Sequence, residues 1–161
     1  MARYCVDTNV FIEAKNGPYG FDIAPGFWDW VDSMVSTSSL YSPRAVYDEL
    51  AEGNDYLAEW IKKRKNSGMF ADPDEETQIR FKNVANYVSS NYADPHVATF
   101  LSGADPWVIS QALADNSVVV TKETAVNLNS KKVKIPNICH HFGVSCINTY
   151  TMLRESGAVL R

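Results

Sequence analysis

The chain is poor in the residues on which much hydrolytic chemistry rests. Only three of its 161 residues are histidine (His96, His140 and His141), and none has a serine or cysteine nucleophile motif around it. A triad hydrolase is therefore a poor fit. Cysteine is equally sparse. Cys5, Cys139 and Cys146 form an odd set with no disulfide framework, which suits a reducing, cytoplasmic setting. Cys139-His140-His141 has no second ligand pair at zinc-site spacing, so it reads as a turn of helix. No apolar run approaches the roughly 20 residues of a membrane span, and the amino terminus lacks the apolar core of a signal peptide. No membrane partner is expected. Glycine and proline, at 8 and 7 residues, fall short of fibrous or disordered levels.

Positive charge is also in deficit, with 15 Lys and Arg against 19 Asp and Glu and a net charge of −4. Taken alone this disfavours a nucleic-acid partner. If four carboxylates share one cation site, however, the remaining charges balance and bound divalent ions offset the pocket itself. The 45% apolar and 12% aromatic content suits an ordinary core, and the length suits a single domain over 1–161.

Apolar segments alternate in type along the chain. Residues 3–6 read as a short buried strand closed by an Asp7-Thr8-Asn9 turn, and Val10 to Lys15 as a helix stopped by Asn16-Gly17-Pro18. Gly20 to Pro25 reads as a loop and Phe27 to Thr37 as a helix with Trp28, Val31 and Val35 on one face. Leu40-Tyr41-Ser42 reads as a strand, after which Ser42 caps a helix with Pro43 at its first position. A helix follows over about 55–66, and Asp72-Pro73-Asp74-Glu75-Glu76 opens the next. A loop spans Asp94-Pro95 to Gly103, and a further helix starts at Asp105-Pro106. Val118-Val119-Val120 is the best strand, and another near 144–147 leads into a closing helix. Strands separated by helices predict a small parallel sheet with helices on both faces.

Four acids recur near strand ends or helix starts, where the working groups of parallel α/β sheets gather. Asp7 ends the first strand, Glu49 lies in the helix after Pro43, Asp105 begins a helix, and Glu123 follows the valine strand. Each has an ordinary reading alone: Asp105 as a helix cap, Glu123 as first-turn charge, Glu49 as a solvated helix residue. Asp7 is the hardest to dismiss, because a charge at the end of an apolar strand is out of place. Four carboxylates brought together would repel and raise one another's pKa values. Hard divalent cations such as Mg²⁺ or Mn²⁺ relieve that conflict and assist phosphodiester hydrolysis.

Asp7-Thr8-Asn9, Val46-x-x-Glu49-Leu50, Ala104-Asp105-Pro106-Trp107 and Val119-Val120-Thr121-x-Glu123 resemble, in order, the four acidic motifs of the PIN-domain nucleases. That family includes the VapC-type toxins of prokaryotic toxin–antitoxin pairs. The resemblance implies a three-layer α/β/α fold with a small central parallel sheet. It also implies an Mg²⁺- or Mn²⁺-dependent hydrolysis of single-stranded RNA, an antitoxin partner and a homodimer. Asp7, Glu49 and Asp105 match the family's core acids as metal ligands. Glu123 stands where the family more often has Asp, leaving open whether it ligates directly or through water. Thr8, Asn9 and Thr121 match the residues that support the acids.

Lys131, Lys132 and Lys134 follow the fourth acid and read equally as phosphate contacts or solvated charge. The run Lys62 to Lys65 reads better as a solvated helix end. Trp28, Trp30, Trp60 and Trp107 read as core or interface residues. Two rivals to the nuclease stand: a catalytically weak PIN-fold interaction module, and a phosphatase with Asp7 as covalent nucleophile. The second usually needs an Asp two residues on, where this chain has Asn9.

Overall fold

The structure, a computed structural model, describes residues 2–161. Five short strands form one sheet in the order β3–β2–β1–β4–β5, every pairing parallel. They are β1 (Tyr4–Val6), β2 (Leu40–Pro43), β3 (Phe70–Ala71), β4 (Val118–Val120) and β5 (Cys146–Ile147). All three residues of β1 are buried, as expected of a central parallel strand covered on both faces. Helices α1 (Thr8–Asn16) and α2 (Pro25–Ser36) connect β1 to β2. Helices α3 (Arg44–Ala51) and α4 (Tyr56–Lys62) lead to β3. Then α5 (Glu75–Asn91), α6 (His96–Ser102) and α7 (Asp105–Asp115) return the chain to β4. Helix α8 (Ile135–Phe142) precedes β5, and α9 (Thr149–Glu155) follows it. This is the expected three-layer α/β/α arrangement.

The topology fixes where a site can form. From β1 the chain builds outward through β2 and β3, then crosses to the other side of β1 for β4 and β5. The order reverses at β1, so the crevice beyond the carboxyl ends of β1 and β4 is the switch point at which such sheets bind ligands. Val6 pairs with Val120, and the Asp7 amide donates to the Val120 carbonyl at 2.9 Å. Asp7 and Thr121 therefore leave the sheet side by side. Helix α7 ends at Asn116, whose left-handed backbone (φ 55°) turns the chain into β4. Its other end consequently lies at the carboxyl rim.

Packing holds these elements in register. Val10, Phe11 and Ala14 bury one face of α1. Phe21 stacks on Trp28 at 4.0 Å, Trp28 meets Trp60 edge-on at 5.1 Å, and the Trp28 indole donates to the Tyr19 carbonyl. The loop before α2 is thus fastened to α2 and α4, and Trp28 and Trp60 are core residues. Trp107 stacks on Phe81 at 4.1 Å, joining α7 to α5.

Several local expectations need correction. Thr8 and Asn9 belong to the first turn of α1 instead of a separate turn. Ser42 does not cap a helix: it is buried in β2 and its hydroxyl donates to the Val6 carbonyl at 2.6 Å. Pro43 closes that strand, and α3 begins at Arg44. The helix after Gly53 ends at Lys62, short of residue 66. The segment read as a loop before Gly103 contains α6, and β3 is an additional strand too short to carry an alternating pattern.

Candidate active site

The four acids reach the rim from four different elements. Asp7 follows β1, Glu49 projects from α3, Asp105 opens α7, and Glu123 lies in the irregular segment after β4. Capping explains none of the first three. Asp7 precedes α1 but makes no side-chain bond to its amides, Asp105 is not the cap (that position is Ala104), and Glu49 is mid-helix.

Each carboxylate except that of Asp105 is held by named donors. The Thr121 hydroxyl donates to Asp7 Oδ2 at 3.0 Å and accepts from the Glu123 amide at 3.1 Å, so one threonine fixes two acids. Thr8 donates to Glu49 Oε1 at 2.6 Å, and the Ala104 amide lies 3.3 Å from Glu49 Oε2. The latter bond links Glu49 to the backbone just before Asp105. The Ile135 amide donates to Glu123 Oε1 at 3.0 Å, and Lys134 Nζ stands 3.6 Å from Oε2. Glu123 thereby occupies a free amide at the start of α8, which explains the longer side chain at this position. Asn9 is half-buried in α1 and makes no hydrogen bond to these acids.

Asp7 is completely buried, yet its Oδ1 has no hydrogen-bond partner. Burial pushes its carboxyl up to about 6; the Thr121 bond opposes this, while Glu123 and Glu49 add to it. Burial also pushes Asp105 up to about 7, with repulsion from Asp7, Glu123 and Glu49 adding and Lys134 opposing. The charges of Glu49 and Glu123 thus reach both Asp7 and Asp105. Asp105 and Glu123 help line a cavity of about 330 Å³ together with His96, Lys132 and Lys134, whereas Asp7 and Glu49 do not line it. Lys131 lines a neighbouring cavity.

A hard cation suits this donor set. It consists of carboxylate oxygens, one of them buried and without a donor, beside a second carboxyl whose pKa burial and repulsion raise to about 7. Among the described residues no three acidic, histidine or cysteine side chains close around one point. Sequence reasoning missed Ser42, Ala104 and Ile135 as supports. The last two act through backbone amides, which leave no side-chain signature.

A family model described as "Domain of unknown function (DUF4411)" matches residues 4–160. No curated protein matches the chain in sequence. Among solved structures, the fold is similar to that of VapBC2 from Rickettsia felis bound to a promoter DNA fragment. That match has 12% identity, covers 90% of this chain and 97% of that one, and has a TM-score of 0.54. FitAcB from Neisseria gonorrhoeae is similar at 16% identity, covering 91% and 98%, with a TM-score of 0.55. DNA-bound VapBC from Salmonella typhimurium is similar at 18% identity, covering 92% and 98%, with a TM-score of 0.54. At such identities the likeness concerns the fold, and the fold is PIN-like. No helix of the described residues is long and apolar enough to cross a membrane.

Proposed function

The chain belongs to the DUF4411 family, and from that premise we propose that it is a metal-dependent endoribonuclease, the toxin half of a toxin–antitoxin pair. One observation supports the reading: four acids from four parts of the chain stand at the switch point of a parallel sheet, where Asp7 Oδ1 is buried and unpartnered and the charges of the other three reach Asp105. Similarity to VapBC and FitAcB complexes supports the toxin–antitoxin part.

Asp7 and Asp105 would hold the cation, with Glu49 beside them and Glu123 acting directly or through water. Bound Mg²⁺ or Mn²⁺ would supply Lewis-acid polarisation of a phosphodiester and neutralise the charge developing on it. The chain's own residues do the positioning. Thr121 holds Asp7 in one orientation, and Thr8 and the Ala104 amide hold Glu49. Lys132 and Lys134 line the cavity in front of Asp105, where they can receive phosphate oxygens. Water attacks phosphorus in line with the leaving 3′-oxygen. The ribose 2′-hydroxyl is not needed as nucleophile, so the products carry a 5′-phosphate and a 3′-hydroxyl.

The test is cleavage of single-stranded RNA with Mg²⁺ or Mn²⁺, with and without EDTA, by the unmodified chain and by Asp7→Asn. Cleavage should vanish with EDTA and with the substitution. Cleavage that survives both would remove the assignment. A second reading, a PIN-fold interaction module with little catalysis, draws on one observation: both Glu123 oxygens already face cationic or amide donors. A folded chain that binds no Mn²⁺ and cleaves no RNA would favour it.

A further inference from the structure

The cavity in front of the acids is not isolated. His96, the first residue of α6, lines it and also lines a larger cavity of about 640 Å³ between the α5–α6 corner and the segment joining β4 to α8. Lys132 belongs to the first cavity and Lys131 to the second, so the opposite wall is continuous as well. A groove therefore runs from Asp105 and Glu123, past His96, to Tyr92.

Its lining changes along that path in a way that fits a polynucleotide. At the acid end, Lys132 and Lys134 provide positive charge. At the far end the lining residues include Tyr92, Asn129, Leu128 and Lys131, with Asn91, whose side-chain amide already donates to the Tyr87 carbonyl at 2.8 Å. Leu128 is 92% exposed. Asp94 is the one acid there, and its carboxylate already accepts from the Ala98 amide at 3.1 Å. Flat rings, amides and a lysine are the groups that hold an unpaired base and its phosphate. The volume lies within the range of small-ligand pockets, about 300–1,000 Å³.

We propose that this outer cavity is a nucleotide subsite, which takes a nucleotide adjacent to the scissile phosphate of a single RNA strand. Its base lies against Tyr92 and His96, and its phosphate is held by Lys131. The inference rests on the ribonuclease reading for its direction, since the groove leads away from the acids. It adds the residues that choose the substrate.

Binding and hydrolysis are measured separately so that the two ideas can fail separately. Binding of a 5′-fluorescein 12-nucleotide single-stranded RNA is followed by anisotropy in EDTA, in an Asp7→Asn background that removes the buried charge and blocks cleavage. Adding Tyr92→Ala should weaken binding about tenfold with an unchanged salt slope. Adding Lys131→Ala should weaken it and lower the slope of log K against log salt by about 0.7. In the otherwise unmodified chain with Mn²⁺, both substitutions should slow cleavage of the same RNA and spare hydrolysis of bis(p-nitrophenyl) phosphate, which is too small to reach the groove. RNA affinity unchanged by either substitution, or absent altogether, overturns the subsite; unchanged affinity would point to another occupant such as a protein strand. Loss of hydrolysis with intact, substitution-sensitive binding instead supports the subsite and overturns the nuclease.

Discussion

The two ends of the central sheet each gather a carboxylate into a polar cluster, and they treat it in opposite ways. At the amino end, Asp115 Oδ2 accepts from the Tyr41 hydroxyl at 2.7 Å and from Gln111 Nε2 at 2.8 Å, with Arg3 at 3.5 Å. The Arg3 guanidinium also lies over the Tyr41 ring at 3.8 Å, and Ser117 bonds the same hydroxyl at 2.7 Å. Burial and the nearby Asp115 carboxylate raise the Tyr41 pKa, so the hydroxyl stays a donor. At the carboxyl end, Asp7 has one side-chain donor, a bare oxygen and three other acids around it. A carboxylate surrounded by donors ties elements together. One buried among like charges destabilises the fold until something cationic arrives.

Substitutions at the two ends should therefore separate stability from activity. The largest effect is expected from Asp7→Asn. RNA cleavage should fall at least about 100-fold, while the metal-free chain gains about 1–2 kcal/mol because a buried charge is gone. Cleavage assays and thermal melts in EDTA check both, and a destabilised variant would break the contrast. Thr121→Val removes the one side-chain donor to Asp7 and should reduce cleavage by about 10- to 100-fold, with the chain still folded by circular dichroism. Tyr41→Phe deprives Asp115 of a donor and should cost about 2 kcal/mol. That lowers Tm by about 6 °C, with cleavage per folded molecule unchanged.

A further effect concerns pH. Asp7 and Asp105 bind protons more tightly folded than unfolded, so the folded state carries more protons between about pH 4 and 7. Stability of the metal-stripped chain should then fall as pH rises through that window. Urea midpoints in EDTA at pH 5 and pH 7.5 measure it, and a rise would contradict the assignment of unrelieved charge.

Much of the carboxyl end was legible in the sequence because its signals are local. An acid directly after Tyr4-Cys5-Val6, an Asp-Pro helix start and Thr121 after three valines all mark strand ends or helix starts within a few residues. The amino-end cluster left no such trace. Tyr41 and Asp115 are 74 positions apart, and each alone is an ordinary strand or helix residue. Glu123 shows the same limit at shorter range: its bond to the Ile135 amide, twelve positions on, accounts for Glu at this position and no local pattern announces it. Helix α6, with seven residues, and β3, with two, are too short for a periodic apolar pattern to develop. Ser42-Pro43 has the pattern of a helix start, yet pairing of β2 with β3 holds both residues in the sheet. Tertiary context outweighed local preference there.

Calorimetric titration of Mn²⁺ into the metal-stripped chain, beside Asp7→Asn, tests the proposed cation site at the rim without involving RNA. The unmodified chain should bind with measurable heat and a raised Tm, and Asp7→Asn should show neither. Identical heats from both, or none from the unmodified chain, would contradict a cation site built on Asp7.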